Sequence, residues 1–371
     1  MMYIFPKKIK SLSIYLMVAG FFGLVYGFLS APKNIEESKT IIAASHGDHH
    51  DGQYNAHSSG LHGTSPNIKD VANYTDGDMH VSSNTKLKNA EIHSESHDKK
   101  HDEHVYHQLA NKPWAALYVS AFYFFMISLG VLAFYGIQRA AQAGWSPVLF
   151  RVMESITGYL LPGGIIVIVI LFLSGLHLNH LFIWMDPEVV AHDKLIAGKV
   201  GYLNTPFFLA RAIFFLGGWS LYRFFSRKFS LAQDNASDTS NHKKNFRISA
   251  AFLVFFIITE SIMSWDWIMS IDPHWFSTLF GWYVFASMVV SGVTAIALIT
   301  IYLKSRGYLE FVNDSHIHDL AKFMFGFSIF WTYLWFSQFM LIWFSNIPEE
   351  VTYFISRIED YNLPFFGMLA M

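Results

Sequence analysis

The chain has 371 residues, of which 53% are hydrophobic, 18% are aromatic and only 15% are charged. Soluble domains carry roughly 25% charged residues, so this deficit favours a membrane protein. The net charge of −2 gives no strong positive field that would attract nucleic acid, and no nucleic-acid partner is expected. Because the chain has no cysteine, it cannot itself hold a disulfide, a thiolate-ligated iron–sulfur cluster or a haem attached through cysteines.

Seven stretches are apolar over the length that a helix needs to cross a bilayer, which is about 20 residues. They are 11–31, 114–138, 155–180, 205–226, 247–270, 277–303 and 319–345. Each is predicted to be a helix, because lipid offers no hydrogen-bond partners to an open strand edge. The sequence therefore predicts an all-α, polytopic transmembrane helix bundle.

This pattern divides the chain into four segments. Residues 1–31 are predicted to be an N-terminal transmembrane anchor, with a cleaved signal peptide as the alternative because basic residues precede the apolar core. Residues 32–113 form a long loop, and 114–345 form the helix bundle. Residues 346–371 are a polar periplasmic segment followed by the start of a further span, so we expect a truncated C-terminus.

The distribution of basic residues predicts the direction of the chain. With a cytoplasmic N-terminus, fourteen basic residues lie on the cytoplasmic side and three lie in the short loops of the other side. The prediction is a membrane protein whose N-terminus is cytoplasmic and whose long loop is periplasmic; the family resemblance described below implies the bacterial inner membrane.

The long loop is rich in histidine, since eleven of the eighteen histidines fall in 46–107. It has few large apolar residues, so it cannot bury enough surface to offset the entropy of ordering, and disorder is predicted. Histidine-rich tracts also bind zinc or copper loosely, which stays open as an alternative. The histidine spacing fixes no tetrahedral ligand set, and no metal site is predicted.

Ionisable side chains at membrane depth are costly, so those in the spans are candidates for function. His177 and His180 are three residues apart near the end of the third span, where they could donate to a quinol, ligate a metal or carry protons. The alternative is a pair of histidines at the headgroup level. Arg211 lies near the start of the fourth span and either pairs with an acid at the same depth or extends to the interface.

The stretch 260–278 carries the densest set of such groups. Glu260 and Asp266 lie in the fifth span, and Asp272 and His274 follow at its end. Carboxylates and a histidine at membrane depth are suited to proton transfer, so this stretch indicates proton or redox chemistry in a bilayer. For Asp266 the alternative is a structural carboxylate that Arg211 or neighbouring tryptophans satisfy.

Two further patterns concern aromatic residues. Gln338 is the one strongly polar side chain in the aromatic stretch 327–338 of the seventh span, and with Arg211 and His274 it is a candidate for a quinone pocket. Four tryptophans near the ends of the fifth and sixth spans are predicted to form an aromatic belt at the membrane surface. They are Trp265, Trp267, Trp275 and Trp282.

Three segments resemble the membrane subunits of bacterial alternative complex III, a quinol:cytochrome c oxidoreductase. They are the block Ser264–Trp282 with its Ser-Trp-Asp-Trp-Ile-Met-Ser-Ile-Asp-Pro-His-Trp run, Leu203–Arg211 and Lys322–Gln338. The second quinone-type membrane subunit of that complex, related to the polysulfide-reductase membrane subunits, is the most similar. The three segments fall in the expected order and span most of 114–345.

The resemblance implies a chain without its own redox cofactor, in a complex that oxidises menaquinol or ubiquinol and passes electrons to cytochrome c or a terminal oxidase. It implies that c-type haems and iron–sulfur clusters belong to partner subunits, namely a multihaem cytochrome c and an iron–sulfur subunit beside a paralogous membrane subunit. It also implies about ten helices built around four-helix bundles. The family's quinol site lies in the paralogous subunit, so a proton path or a scaffold role transfers to this chain.

Three functions are therefore weighed. The leading hypothesis is a subunit of a quinol-oxidising respiratory complex in which His177, His180, Glu260, Asp266 and Asp272 move protons or contact a quinone head. A metal-ion transporter with a histidine-rich loop is the second, and it predicts polar ligands at matching depths on two helices. A structural subunit that docks haem and iron–sulfur proteins is the third.

Overall fold

The computed structural model describes residues 7–46, 83–359 and 361–370, and every regular element within them is helical. The α-helices, in chain order, are α1 (Lys7–Ser30), α2 (Ile35–His46), α3 (Ser83–Ala140), α4 (Phe150–Ile156), α5 (Leu160–Gly175), α6 (Pro187–His192), α7 (Lys194–Lys199), α8 (Thr205–Asp234), α9 (Ser240–Trp267), α10 (Phe280–Ser305), α11 (Asp314–Ser345), α12 (Pro348–Glu359) and α13 (Asn362–Ala370). Short 3-10 turns precede α4, α5 and α6 and follow α9. The predicted all-α membrane helix bundle is confirmed.

Six helical stretches in these ranges are long and apolar enough to cross a membrane. They are Ile9–Ser30, Tyr106–Ala140, Ser146–Gly175, Ser240–Ile271, Phe280–Ser305 and Asp314–Ser345. The remaining predicted span, 205–226, falls on α8, which is 30 residues long but carries Arg211 and Arg223 inside its apolar run. These two guanidinium groups lower its hydropathy, and both find polar partners inside the protein.

The chain divides into two compact units. The smaller one, Val25–Pro113, contains the end of α1, α2 and the first half of α3. Within it, the Asn34 side chain accepts a hydrogen bond from the backbone N–H of Glu37 at 2.9 Å and so caps α2. The Tyr106 hydroxyl donates to the carbonyl of Lys33 at 3.2 Å, which ties α3 to the start of α2.

The structure differs from the predicted loop at both of its ends. Residues 35–46 are helical, and residues 83–113 continue into the membrane helix as the first half of α3. Pro113 is the only proline within α3, so little in the sequence stops a helix that the apolar half has already nucleated. The predicted disorder of residues 47–82 lies outside the described residues.

The larger unit is a bundle of helices that alternate in direction. α8 packs against α5 and α9, while α10 packs against α9, α11 and the short α4. A Cβ atom on Gly130 of α3 would lie 2.2 Å from the carbonyl oxygen of Met288 on α10, and one on Gly292 would lie 2.9 Å from the backbone nitrogen of Val131. The α3 and α10 backbones therefore touch, as small residues allow in membrane helix pairs.

Ionisable side chains gather at two ends of this bundle. At the first, called the Asp266 end, α5 and α9 finish and α8 and α10 begin. At the second, called the Glu154 end, α3 finishes, α4 begins and α8 finishes.

Candidate ligand cavity and polar networks

An apolar cavity of about 770 Å³ lies in the Asp266 half of the bundle. Its wall comes from α3, α9, α10 and α11, and the short helices α12 and α13 supply the rest. Phe122, Met126, Met288 and Phe365 are among its apolar lining residues. Small-molecule sites are concave, mostly apolar and roughly 300–1,000 Å³ in volume, so this space has the size of a ligand site.

A few polar groups interrupt the apolar wall. Trp267 belongs to the wall, but its indole N–H is itself buried and has no acceptor among the described residues. From α12 come Tyr353 and Arg357, whose guanidinium lies 3.4 Å from the centre of the Tyr353 ring. Burial raises the pKa of the Tyr353 hydroxyl, while nearby Arg357 acts in the opposite direction. The neutral phenol is thus the form present around neutral pH.

None of the eight predicted site residues lines this cavity. Asp266 instead belongs to a closed ion pair at the end of α9. Its carboxylate accepts hydrogen bonds from Arg211 at 2.6 Å and 3.0 Å and from the Tyr202 hydroxyl at 2.8 Å. The Arg211 guanidinium also lies between the rings of Tyr202 and Phe207, at 4.1 Å and 4.2 Å from their centres.

This geometry assigns Arg211 and Asp266 to one structural pair. Asp266 is fully buried, and each of its carboxylate oxygens already has a donor. Of the two interpretations of Arg211, pairing with an acid at the same depth is the one observed. The two charged hydrogen bonds from Arg211 hold α8 and α9 together at this point.

Asp272 and His274 lie in the loop after α9 and meet Asp193 from the loop before α7. His274 Nε2 lies 2.5 Å from Asp193 Oδ2, and the backbone N–H of His274 donates to Asp272 Oδ1 at 3.3 Å. Asp193 also accepts from the first backbone N–H groups of α7, so it caps that helix. The hydrogen bond from His274 is the main reason that the pKa of Asp193 lies below its usual value.

Lys199 completes this loop cluster. Its ammonium group donates to the carbonyl of Pro273 at 2.5 Å and lies 5.5 Å from the centre of the Phe276 ring. Partial burial lowers the pKa of Lys199, and the carboxylates of Asp272 and Asp193 oppose that shift. The loop cluster therefore fixes the loop after α9 against α7 through both charge and hydrogen bonds.

His177 and His180 do not share a helical face, because α5 ends at Gly175. His177 has a positive φ of 58°. The backbone N–H of His177 donates to Ser174 at 3.0 Å and that of Leu178 donates to Leu173 at 3.1 Å, which is the Schellman pattern of a helix C-terminus. The His177 side chain is exposed, while His180 is half-buried and has polar or ring contacts of its own.

Glu260 and Gln338 are buried within the membrane helices α9 and α11. Glu260 Oε1 and Gln338 Nε2 have no hydrogen-bond partner within the described part of the chain. A buried polar atom without a partner costs about 1–3 kcal/mol, so both groups are candidates for contact with something outside the chain.

The Glu154 end holds a network that the sequence interpretation missed. Glu154 is 4% exposed and accepts from the Tyr135 hydroxyl at 3.1 Å and from Arg151 at 2.7 Å. The guanidinium groups of Arg139 and Arg227 lie 3.8 Å and 3.9 Å from its oxygens. The sequence signal that could have indicated this network is the position of its charges, because Arg139 lies at the end of one apolar span and Glu154 lies at the start of the next.

The tryptophans also differ from the prediction. Trp267 and Trp275 are buried in the core and not in a surface belt, whereas Trp282 is exposed. The Trp275 ring stacks on Tyr353 with 4.0 Å between centres, which links the loop after α9 to α12. A belt and a buried aromatic core have the same composition at the end of a span, so the sequence could not separate them.

No metal-ligand group of three or more histidine or acidic residues occurs in the ranges that the structure describes, which leave out residues 47–82. No protein-family model matches the chain, and no curated protein matches it.

Proposed function

We infer that this chain is an integral membrane subunit of a quinol-oxidising respiratory complex of the alternative complex III kind. It would supply the wall of a quinone pocket without holding a redox cofactor. The observation that carries this proposal is the apolar cavity between α3, α9 and α10, flanked by α12 and α13. Its volume of about 770 Å³ suits a quinone ring with the first part of an isoprenoid tail.

The chemistry of the wall fits such a molecule. A quinone has a flat apolar ring and carbonyl oxygens that only accept hydrogen bonds, and the wall offers aromatic rings together with the donor Arg357. When bound, the quinol supplies the electrons and protons of the reaction. The chain's own part is to exclude water and to orient the ring.

The loop cluster supports a role in proton release at the Asp266 end. His274 precedes Trp275, whose ring stacks on the cavity residue Tyr353. His274 also contacts Asp193, which is partly exposed to solvent. A histidine between a ligand wall and a solvated carboxylate is suited to accept a proton and pass it outward.

The complex would lie in a bacterial inner membrane with the N-terminus in the cytoplasm and the Asp266 end toward the periplasm. Haem c and iron–sulfur clusters would belong to partner subunits, namely a multihaem cytochrome c, an iron–sulfur subunit and a paralogous membrane subunit. A terminal oxidase is a further partner. The closed Arg211–Asp266 pair favours a scaffold contribution beside the quinone pocket, because it fixes α8 to α9.

Purification of the full chain from its native membrane in mild detergent tests this function. We expect the three partner subunits to co-purify, haem and iron–sulfur absorption to come from them, and quinol:cytochrome c activity to follow the complex. Recovery with proteins that carry no redox cofactor, and without such activity, would contradict the proposal.

A further inference from the structure

The cavity is partly open rather than enclosed, and the exposure of its lining residues shows where the opening lies. The exposed lining residues are Val119, Tyr123, Ile271, Tyr361 and Pro364. They belong to α3, to the turn after α9 and to the segment where α12 meets α13. The lining residues on α10 and α11 are all buried or half-buried, so that side is a wall. The opening, called the mouth, is bounded by the five exposed residues.

The mouth extends into the apolar layer of the membrane. No charged residue occurs in α3 between Lys112 and Arg139. At a rise of 1.5 Å per residue, Val119 lies about 10 Å and Tyr123 about 16 Å along the helix from Lys112. Because the hydrocarbon core of a bilayer is about 30 Å thick, both exposed side chains are at a depth where lipid chains surround the protein.

The inner wall of the cavity is apolar and buried. Met126 of α3 and Met288 of α10 line it there. One helical turn further along each helix, at Gly130 and Gly292, the two backbones touch and leave no space between them. A ligand therefore reaches the cavity through the mouth and not from between α3 and α10.

Charge is distributed unevenly around the cavity. Arg357 of α12 is the only charged residue among the described residues that line it. It is half-buried, and within the described part of the chain no carboxylate forms an ion pair with it. One of its nitrogens donates to the carbonyl of Tyr353 at 2.7 Å. A molecule with a polar end toward α12 and an apolar chain toward Met126 fits this distribution.

We propose that the mouth is a lateral opening to the bilayer, through which the cavity takes up an amphiphile that is dissolved in the membrane. The polar end of the ligand lies toward α12, and its chain passes Val119 and Tyr123 into the lipid. This inference rests on the proposed function only in choosing a quinone as that amphiphile. A phospholipid shares the same chemistry, since it also has a polar end and long apolar chains.

The lack of cysteine allows a direct test, because Val119→Cys introduces the only thiol of the chain. Val119 is 65% exposed, so the change leaves the packed core intact. The full-length variant is reconstituted in phosphatidylcholine vesicles and alkylated with N-ethylmaleimide, with and without a ubiquinone analogue that has a decyl tail. The Kd of this probe comes from saturable quenching of tryptophan fluorescence, since Trp267 and Trp335 line the cavity. At a probe concentration about four times the Kd, alkylation should slow about fivefold because the chain of the bound probe fills the mouth.

Val254→Cys is the matched control. Val254 has the same exposed fraction, 65%, but it lies on α9 and does not line the cavity. Alkylation of this variant should be as fast with the probe as without it. Ile271→Cys tests the part of the mouth after α9, at the Asp266 end. Protection of Ile271→Cys without protection of Val119→Cys would mean that the cavity opens only at the membrane surface, which would overturn the lateral opening.

The outcomes separate this inference from the proposed function. Slower alkylation of Val119→Cys but not of Val254→Cys supports the lateral opening. If the probe binds and alkylation of Val119→Cys is unchanged, or slows equally in Val254→Cys, the lateral opening is wrong and the quinone function stands. If the probe does not bind the wild type, the quinone function fails, and phospholipid that co-purifies is then quantified by mass spectrometry. Less phospholipid on Val119→Trp than on Val254→Trp supports the lateral opening, and equal amounts overturn it.

Discussion

The two ends of the bundle solve the burial of a carboxylate in different ways. Asp266 has one cationic partner, and a buried bidentate pair with Arg211 satisfies both of its oxygens. Glu154 is almost as deeply buried, yet it is shared among Arg139, Arg151 and Arg227. Two carboxylates that are almost equally buried can therefore depend differently on a single cation. Loss of one arginine leaves Glu154 with two others, whereas loss of Arg211 leaves Asp266 without a cationic partner.

The largest expected effect is at the Asp266 end. Arg211→Met should lower the free energy of unfolding by about 3–5 kcal/mol, because Asp266 is left as a buried charge without its cation. Thermal or denaturant unfolding of the purified chain in detergent micelles measures this change. The double variant Arg211→Met with Asp266→Leu should recover much of the loss. If it is no more stable than the single variant, Asp266 is not the partner that matters.

At the Glu154 end, the change with the largest expected effect is Glu154→Gln. It removes the carboxylate that three guanidinium groups approach, and we expect a loss of about 2 kcal/mol from weakened charged hydrogen bonds. The loss stays below that of Arg211→Met because Arg151 keeps its contact with Asp234. Thermal or denaturant unfolding in detergent micelles measures this loss as well. A larger loss of stability for Glu154→Gln than for Arg211→Met would contradict the expected order of the two ends.

Removal of a single cation from the Glu154 end should have a small effect. Arg227 is 43% exposed and lies 3.9 Å from the Glu154 carboxylate, so Arg227→Met should cost less than about 1 kcal/mol. The free energies of unfolding of Arg227→Met and Arg211→Met, measured under the same conditions, compare the two ends directly. A cost similar to that of Arg211→Met would mean that the Glu154 network is not redundant.

The smallest expected effect concerns the loop cluster and is seen as pH dependence. Because the pKa of Asp193 is lowered in the folded chain, its stabilisation is fully present above the usual Asp pKa of about 3.9. It is lost as the pH falls through the lower, folded value. The midpoint of thermal unfolding should therefore differ between the wild type and Asp193→Asn at pH 7, and the difference should narrow on acidification to about pH 3. A difference as large at about pH 3 as at pH 7 would contradict the assigned contact with His274.

Some parts of this arrangement can be predicted from the sequence and others cannot. Long apolar runs predict the membrane helices, since length and hydropathy are local properties. The pairing of Arg211 with Asp266 is one of two interpretations that the sequence allows, because a buried guanidinium needs an acid at its own depth. The position of Glu154 does not mark it as functional, since a charge at the start of a span is also typical of a solvated helix end.

Other features depend on tertiary geometry that one sequence does not contain. His177 occupies a position at a helix C-terminus that glycine usually fills, so nothing in the sequence predicts that α5 stops before it. The cavity wall joins residues as far apart as Tyr118 and Phe365, and no local pattern relates them. Because no local pattern indicates the cavity, the sequence alone predicts that Trp267 belongs to an aromatic belt at the membrane surface.

The crossing of α3 and α10 at Gly130 and Gly292 fixes one wall of the cavity. The two backbones touch there, and even one added methyl group would meet main-chain atoms. Met126 and Met288 line the cavity one helical turn away from these glycines. A larger residue at either glycine would therefore push the two helices apart and change the shape of the cavity as well as weaken the helix pair.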